Sequence, residues 1–278
     1  MLVSSKEMLQ KAQKGNYAIG AFNVENLEMA QAVIMASEKM NAPVLVQTTP
    51  GTLKYAPPSV FAGIVSRLAR DAKTPIALHL DHGNSVALCK ECMKEGYTSV
   101  MIDGSLLPFE ENIALVKEVT AISGDVAVEA ELGTVGGKED LHEAGVQYTD
   151  PMQAKTFVEQ TGIDSFAPAI GTSHGIYTAE PKLDLDRLSE IAANVSVPLV
   201  LHGTSGVPHD AVRECIKRGV CKVNYATELR VVFSNAVKAY VQANPDVFDP
   251  KKYLAAGREA VVESVCNLIT LCGSEGKA

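Results

Sequence analysis

Three histidines in this sequence share a local context that suits metal binding. His82, His174 and His202 each lie at the end of a different predicted strand, and each is followed directly by glycine. Neutral imidazoles from separate elements are typical ligands of a catalytic Zn²⁺, which takes three protein ligands and leaves one position open for water or substrate. A single histidine of this kind is more often a hydrogen-bonded structural residue, but three at equivalent positions favour a metal site.

Carboxylates occupy neighbouring strand ends. Asp81 directly precedes His82 and is interpreted as a metal ligand, a partner that orients one, or a proton-transfer group. Asp103 and Glu131 suit a second divalent-metal position or hydrogen bonds that orient the histidines. A hydrogen-bonded polar layer is the structural alternative for each carboxylate. His79 is interpreted as core packing, with a place behind the metal ligands as the alternative.

Two polar turns after the last two predicted strands suit an anion. They are Gly203-Thr204-Ser205-Gly206 and Asn224-Tyr225-Ala226-Thr227, and Asn23 ends the first predicted strand at the same level. Glycine permits close backbone approach, and a following helix N-terminus attracts phosphate. Such N–H groups can bind phosphate without a basic patch, so an acidic chain is compatible with a phosphorylated substrate.

Strand and helix patterns alternate along the whole chain. Continuous apolar runs, typical of parallel strands covered on both faces, are Ala18–Phe22, Val44–Gln47, Ile76–Leu80, Ser99–Ile102, Val126–Glu131, Ser165–Ile170, Leu199–Leu201 and Cys221–Val223. Helical patterns are Glu25–Met40, Pro58–Asp71, Val86–Glu95, Glu110–Ile122, Pro151–Thr161, Leu185–Ala193, Pro208–Arg218 and Glu228–Ala243. This alternation predicts an α/β fold, a (β/α)8 TIM barrel forming a single domain over residues 1–278. A short N-terminal helix is expected after Ser4, and one or two more between Asp249 and Cys272.

The longest segment without a helical or strand pattern runs from Gly133 to Asp150. It contains four glycines and the acidic pair Glu139-Asp140. Because long loops in compact domains are usually functional, we predict an irregular lid over the strand ends.

Composition excludes several classes of protein. The 278 residues include 25 Lys+Arg against 33 Asp+Glu, for a net charge of −8, so neither nucleic acid nor an anionic membrane is an expected partner. No stretch approaches the ~18 apolar residues of a membrane span. Of the six cysteines, only Cys89 and Cys92 form a C-x-x-C pair. Helix packing is the favoured interpretation of this pair, and a redox or metal role is the alternative. A reducing, cytoplasmic location is expected.

Taken together, the motifs resemble the class II, zinc-dependent ketose-bisphosphate aldolases over nearly the whole chain. Within that family the sequence is most similar to the tagatose-1,6-bisphosphate and shorter fructose-1,6-bisphosphate aldolases. The segments that carry the resemblance are His79-Leu80-Asp81-His82-Gly83, Ser99-Val100-Met101-Ile102-Asp103-Gly104-Ser105, Val128-Glu129-Ala130-Glu131-Leu132-Gly133, Gly136-Gly137-Lys138-Glu139-Asp140, Gly171-Thr172-Ser173-His174-Gly175 and Leu201-His202-Gly203.

The resemblance implies a reaction and roles for individual residues. Members of the family reversibly cleave a ketose 1,6-bisphosphate to dihydroxyacetone phosphate and glyceraldehyde 3-phosphate through a zinc-stabilised enediolate. By that resemblance His82, His174 and His202 bind the zinc ion. Asp81 matches the group that exchanges a proton with the aldehyde oxygen, and Glu139 matches the carboxylate that moves the carbon-bound proton.

The resemblance also implies further binding sites. Asp103 and Glu131 match an alternate metal position. Gly175, Gly203–Ser205 and Asn224–Thr227 match the segments that bind dihydroxyacetone phosphate, where relatives also recruit a monovalent cation, Na⁺ or K⁺. Family members are commonly homodimers or homotetramers that act on small phosphorylated sugars.

Two positions depart from the family pattern. Lys251 stands where many relatives have an arginine associated with the far phosphate, and lysine cannot reproduce its bidentate geometry. Lys251 or Arg258 is the candidate for that contact, and the far anion could instead be a sulfonate, as in a 6-sulfo ketose 1-phosphate. Ala226 stands where many fructose-bisphosphate enzymes have aspartate, which favours the tagatose-type members.

Three alternatives remain at this point. A Schiff-base aldolase would need a lysine at a strand end, and Lys222 is the candidate. A zinc-dependent hydrolase on the same barrel would use Asp81 to activate water. A binding protein without catalytic activity would hold no metal.

Overall fold

A computed structural model describes residues 2–139, 142–144, 147–175, 177 and 181–278 of the chain. Within these residues, eight parallel strands close into a barrel. These strands are β1 Ile19–Asn23, β2 Val44–Thr48, β3 Ile76–Gly83, β4 Ser99–Ile102, β5 Ala127–Leu132, β8 Ser165–Pro168, β10 Leu199–Leu201 and β11 Val220–Tyr225. Their spatial order around the barrel is β1-β11-β10-β8-β5-β4-β3-β2. The predicted TIM barrel is confirmed.

Helices surround the barrel and cover its outer face. They are α1 Ser5–Gly15, α2 Leu27–Met40, α3 Pro50–Tyr55, α4 Pro58–Asp71, α5 Val86–Glu95, α6 Phe109–Thr120, α7 Pro151–Thr161, α8 Leu185–Asn194, α9 His209–Lys217, α10 Thr227–Ala243 and α11 Pro250–Cys272. Several helices are capped by a side chain at their N-terminus. Before α2, for example, Asn26 Oδ1 accepts the N–H of Met29 at 2.9 Å. The main hydrophobic core lies between these helices and the strands. No helix in the described ranges is both long enough and apolar enough to cross a membrane.

Helix α1 packs against one end of the barrel. Its Met8, Leu9 and Ala12 form a second buried cluster with strand residues that include Ile19 and Cys221. Polar side chains concentrate at the other end, where the strands terminate. The α1 end of the barrel therefore has a structural role, which leaves the carboxyl end for chemistry.

Two features differ from the sequence prediction. The segment Gly133–Asp150, expected to be irregular, contains β6 Gly136–Glu139 and β7 His142–Ala144. Together with β9 Ser173–His174 they form a three-stranded sheet in the order β7-β6-β9. The glycine-rich sequence hid these strands because glycine lowers strand propensity, and pairing with β9 overrides that preference. In addition, helix α3 was not predicted. The tail forms one long helix, α11, in agreement with the prediction of one or two helices there.

Candidate active site

A polar pocket opens at the carboxyl ends of the barrel strands. Arg230, in the first turns of α10, lies in its wall and is not among the residues predicted from the sequence. The signal for it in the sequence is a cationic side chain soon after the predicted anion-binding turn Asn224-Tyr225-Ala226-Thr227. The pocket brings together eleven of the predicted site residues: Asn23, Asp81, His82, His174, Gly175, Gly203, Thr204, Ser205, Asn224, Ala226 and Thr227.

A bulge in β3 lets two successive residues face this pocket. Neighbouring side chains in a regular strand point to opposite faces. The register between β3 and β4 shifts between Leu80 and Gly83, and His82 has a left-handed backbone with φ of 48°. This conformation is costly for a residue other than glycine and is concentrated at functional sites. The bulge therefore explains why both Asp81 and His82 line the pocket.

The three predicted metal-binding histidines converge. His82 and His202 have ring centroids 4.7 Å apart, and His82 and His174 have centroids 4.9 Å apart. One ring nitrogen from each histidine lies within 4.8 Å of the others. His202 Nδ1 and His82 Nε2 are only 2.8 Å apart. Two nitrogen ligands of a tetrahedral zinc ion lie about 3.3 Å apart, so a small outward movement of the rings would fit these donors to the metal.

Asp103 orients His82. Its Oδ2 lies 2.8 Å from His82 Nδ1, and its Oδ1 accepts the N–H of Ser105 at 2.9 Å. Burial alone would raise the pKa of Asp103, but the hydrogen bond and charge of His82, with the N–H of Ser105, lower it overall. This contact leaves His82 Nε2 directed at the other histidines. His82, Asp103 and Glu131 form a second group with metal-ligand spacing.

A buried ion pair lies behind His202. Glu129 Oε1 is 2.9 Å from His202 Nε2, and both Glu129 oxygens accept from Lys222 Nζ, at 3.0 and 2.9 Å. The sequence motifs predict no role for Glu129, and for Lys222 they allow either a Schiff-base lysine or a plain polar role beside Asn224. The strand alternation Glu129-Ala130-Glu131 could have indicated that Glu129 points to the barrel interior.

Two asparagines hold Asp81. Asn23 Nδ2 donates to Asp81 Oδ2 at 2.9 Å, and Asn224 Nδ2 donates to Oδ1 at 3.0 Å. Gln47 Nε2 in turn donates to Asn23 Oδ1 at 2.7 Å, which fixes the orientation of that amide. Because each carboxylate oxygen already accepts an amide N–H, Asp81 is fixed in position at the pocket and keeps lone pairs for a further proton donor.

The predicted anion turns converge at the N-terminus of α10. Ser205 Oγ accepts the N–H of Glu228 at 3.3 Å, and the Thr204 hydroxyl donates to the carbonyl of Asn224. Gly203 has φ of +63°, and a Cβ there would come within 2.8 Å of the Ser173 backbone. Only glycine allows this close approach. The turns therefore place hydroxyl groups and a helix N-terminus at one wall of the pocket.

Tyr177 connects the loops that carry two of the histidines. Its hydroxyl accepts the N–H of Ser173 at 2.6 Å and donates to the carbonyl of Gly203 at 2.7 Å. Ser173 and Gly203 are each adjacent to a histidine of the cluster, so this one hydroxyl joins the two segments.

The other predicted site residues are located elsewhere. The ring of Tyr225 is buried against Phe22, with ring centroids 5.8 Å apart. Only the backbone of Tyr225 could therefore contact a substrate. Lys251 Nζ pairs with Asp249 at 2.9 Å, and Arg258 contacts Glu259 and Gln31. Neither Lys251 nor Arg258 is among the residues that line the pocket. Glu139 is the last residue of β6, and its side chain lies outside what the structure describes.

The two cysteines of the C-x-x-C pair are buried as free thiols on α5. Burial raises the pKa of Cys89 to about 12 and raises that of Cys92 as well. Buried thiols with a raised pKa are poor nucleophiles and poor metal ligands, which supports the packing interpretation.

Comparison with known proteins identifies the family. The sequence model of the family described as fructose-bisphosphate aldolase class-II matches residues 3–277 of the chain. The chain is 37% identical to the YdjI aldolase from Escherichia coli K12, with a TM-score of 0.89 and all of both chains covered. A protein from Coccidioides immitis, described as a fructose-1,6-bisphosphate aldolase, is 32% identical with a TM-score of 0.89, over 98% of this chain and 96% of its own.

A fructose-bisphosphate aldolase from Campylobacter jejuni has the same fold, with a TM-score of 0.82 at 24% identity over 100% of this chain and 97% of its own. The chain belongs to the class II fructose-bisphosphate aldolase family. It is accordingly a lyase of a family whose members depend on a metal ion.

Proposed function

We propose that the protein reversibly cleaves a ketose 1,6-bisphosphate, tagatose or fructose 1,6-bisphosphate, to dihydroxyacetone phosphate and glyceraldehyde 3-phosphate. The observation that carries the proposal is the placement of Asp81, His82, His174 and the turns before α9 and α10 around one pocket, with His202 grouped beside the other two histidines. Metal-assisted aldol cleavage needs a Lewis acid, a proton acceptor and an anion site within one substrate length of each other, and these elements are the candidates for holding the metal, moving the proton and binding the anion.

Zinc is the proposed metal, held by His82, His174 and His202. When bound, it would supply Lewis-acid stabilisation of the negative charge that develops on the substrate carbonyl oxygen. Three imidazoles without a thiolate suit Zn²⁺ and leave a position for the substrate. Asp103 and Glu131, together with His82, remain the candidates for a second divalent position.

Asp81 is the proposed proton-transfer residue. In the cleavage direction its carboxylate accepts the proton of the substrate hydroxyl as the carbon–carbon bond breaks, and in condensation it returns that proton to the aldehyde oxygen. The amide N–H groups of Asn23 and Asn224 hold the carboxylate in the pocket wall for both directions. Glu139 remains the proposed carrier of the carbon-bound proton.

The phosphate of the dihydroxyacetone half is proposed to bind at the N-terminus of α10. Gly175, Gly203–Ser205 and Ala226–Thr227 line that wall, and the helix N-terminus contributes partial positive charge. The Ser205 Oγ bond to the Glu228 N–H is an interaction that a phosphate oxygen could replace. A monovalent cation, Na⁺ or K⁺, remains part of the proposal at this phosphate.

Arg230 brings a guanidinium group to the pocket wall. Its Nε donates to Glu25 Oε1 at 2.6 Å, and Glu25 Oε2 accepts the hydroxyl of Thr52 at 2.7 Å. This bracing fixes a guanidinium that can bind phosphate or sulfonate in a bidentate manner. An anionic substrate is therefore favoured although the chain as a whole carries a charge of −8.

The Schiff-base alternative is disfavoured by the environment of Lys222. Its side chain is completely buried and its Nζ contacts both oxygens of Glu129. A lysine held as an ion pair outside the pocket lining is neither a free amine nor accessible to a carbonyl group.

Parallel kinetics test the proposal. The zinc-loaded protein is assayed with fructose 1,6-bisphosphate, tagatose 1,6-bisphosphate and a 6-sulfo ketose 1-phosphate, and zinc content is measured on the same sample. We expect formation of dihydroxyacetone phosphate that stops when a chelator removes the metal. Activity on the 6-sulfo substrate alone would show that the far anion of the substrate is a sulfonate and not a phosphate. Hydrolysis without carbon–carbon cleavage would refute the aldolase reaction.

A homodimer or homotetramer in the cytoplasm is also proposed. Apolar side chains on the α10 and α11 side of the molecule remain exposed in the single chain, with Phe248 at 92% and Val231 at 43% exposure. Exposed apolar surface of this kind is common at subunit contacts. Light scattering after size-exclusion chromatography measures the assembly.

A further inference from the structure

The buried pair behind the histidine cluster is more elaborate than packing requires. Lys222 is 0% exposed and Glu129 1%, so a full ion pair lies inside the barrel. Such pairs are rarely a net gain for stability compared with apolar residues of the same size. Glu129 Oε1 contacts both Lys222 and His202. Glu129 Oε2 accepts from Lys222 and from the hydroxyl of Ser165, the latter at 3.2 Å.

We propose that Glu129 and Lys222 are a positioning pair that fixes His202 in the one tautomer able to bind the metal and thereby sets the affinity for zinc. The inference deepens the metal site of the proposed function and rests on it. Neither residue would touch substrate, so the role is exerted only through His202.

Hydrogen-bond directions carry the argument. A carboxylate can only accept, so the contact with Glu129 Oε1 requires the proton of His202 to be on Nε2. Nδ1 is then an acceptor, and it lies 2.8 Å from His82 Nε2 and 3.3 Å from the amide Nδ2 of Asn224. The contact with Asp103 similarly assigns the His82 proton to Nδ1. In the neutral rings, the two nitrogens that approach each other are therefore the ones that carry no proton, which is the form that a metal ion requires.

Lys222 explains why the carboxylate can do this while buried. Its ammonium group contacts both Glu129 oxygens and offsets their charge, so the carboxylate stays in one orientation. A chain of hydrogen bonds continues on the far side of the ammonium group. Nζ lies 3.5 Å from His79 Nε2, and His79 Nδ1 lies 2.7 Å from Ser99 Oγ. His79 thus packs behind the pair, consistent with a place behind the metal ligands.

Zinc affinity, measured by competition with a chromophoric chelator, tests the proposal without reference to catalysis. Glu129→Gln removes the charge but keeps the shape, and we expect the zinc dissociation constant to rise about 10–100-fold. The double variant Glu129→Gln with Lys222→Met removes both charges. Without metal, we expect the double variant to be more stable to denaturant than Glu129→Gln and close to the wild type, because no unpaired charge is buried. Its zinc binding should stay weak, because the carboxylate charge behind His202 is still missing.

Ser165→Ala is the matched control. It removes the hydrogen bond from the Ser165 hydroxyl to Glu129 Oε2 and leaves the contacts of Glu129 with Lys222 and His202 intact, so zinc affinity should stay within about threefold of the wild-type value. Wild-type zinc affinity in the double variant would overturn the proposal and reduce the pair to a structural element. Where Glu129→Gln does not fold because Lys222 is left unpaired, the double variant and the spectroscopic measurement decide.

The spectroscopic measurement uses the wild-type protein. Nitrogen-15 NMR of labelled histidine in the zinc-loaded protein should show His202 protonated at Nε2 and coordinated through Nδ1. A proton on Nδ1 would overturn the proposal. Zinc affinity and tautomer are independent of turnover, so a protein that binds zinc as expected but cleaves none of the tested sugars would refute the proposed substrate and leave this inference standing.

Discussion

Replacing Asp81 by asparagine tests its catalytic assignment with almost no change in side-chain volume. Both Asp81 oxygens accept amide N–H groups, from Asn23 at 2.9 Å and Asn224 at 3.0 Å. In the variant an NH₂ group would face one of these donors, so one hydrogen bond is lost. That loss costs about 1–3 kcal/mol of unfolding free energy, which a chain of typical stability tolerates. The variant should therefore fold.

The effect on turnover should be much larger. A positioned acid–base group contributes about 10²–10⁴-fold to the rate. At about 1.36 kcal/mol for each factor of ten, this corresponds to roughly 3–5 kcal/mol of activation free energy. Zinc content should remain at the wild-type level, because the proposed ligands are His82, His174 and His202 and none of them is changed.

The assay measures kcat for release of dihydroxyacetone phosphate from the preferred bisphosphate, with zinc content and urea unfolding on the same preparations. Asp210→Asn is the control, since it removes one carboxylate charge from a side chain that is 96% exposed on α9. The control should match the wild type in all three measurements. An Asp81→Asn protein with full zinc and a kcat within tenfold of wild type would refute the reasoning.

Four further predictions follow from individual contacts. His174→Ala should abolish tight zinc binding yet shift the unfolding free energy by less than about 1 kcal/mol, because His174 lies on β9 outside the barrel core; loss of folded protein would contradict this. Ser205→Ala should raise KM more than it lowers kcat, and equal kinetics in both proteins would remove Ser205 from the phosphate site. Tyr177→Phe should lower the unfolding free energy by about 1–3 kcal/mol in urea titrations, since its hydroxyl joins two loops. For the metal-free protein, the unfolding free energy should decrease as the pH falls from about 7 to 5. Burial, and then the charge of Lys222, lower the pKa of His79 well below 6.5, so in this range the unfolded chain binds a proton that the folded chain does not. The His79→Gln variant should show a smaller decrease in unfolding free energy.

Local patterns were sufficient for the barrel and for most of the site. Continuous apolar runs alternating with helical patterns predict parallel strands under helices, and the carboxyl ends of such strands meet at one end of a barrel. His82, His174 and His202 could thus be grouped from their positions at strand ends alone. The same argument grouped Asn23, Asp81 and the two turns before α9 and α10, because it depends on topology and not on side-chain geometry.

Contacts between residues distant in the chain were beyond such patterns. Glu129 and His202 are separated by 73 positions, and Lys222 by a further 20. Nothing local in the sequence shows which inward-facing polar residues meet across the barrel interior. The β3 bulge is also hidden, since the sequence Asp81-His82 looks like ordinary strand alternation until its pairing with β4 is known.

What the sequence by itself determined was therefore the order of elements, the barrel and the set of polar residues at its open end, because periodicity and turn chemistry act over a few residues. Only the tertiary structure decided the pairing of β6 with β9, the contact of Arg230 with the pocket and the direction in which each histidine presents its nitrogen. These depend on the register of strands and on the distances between side chains from different elements, which the closed packing of the barrel fixes.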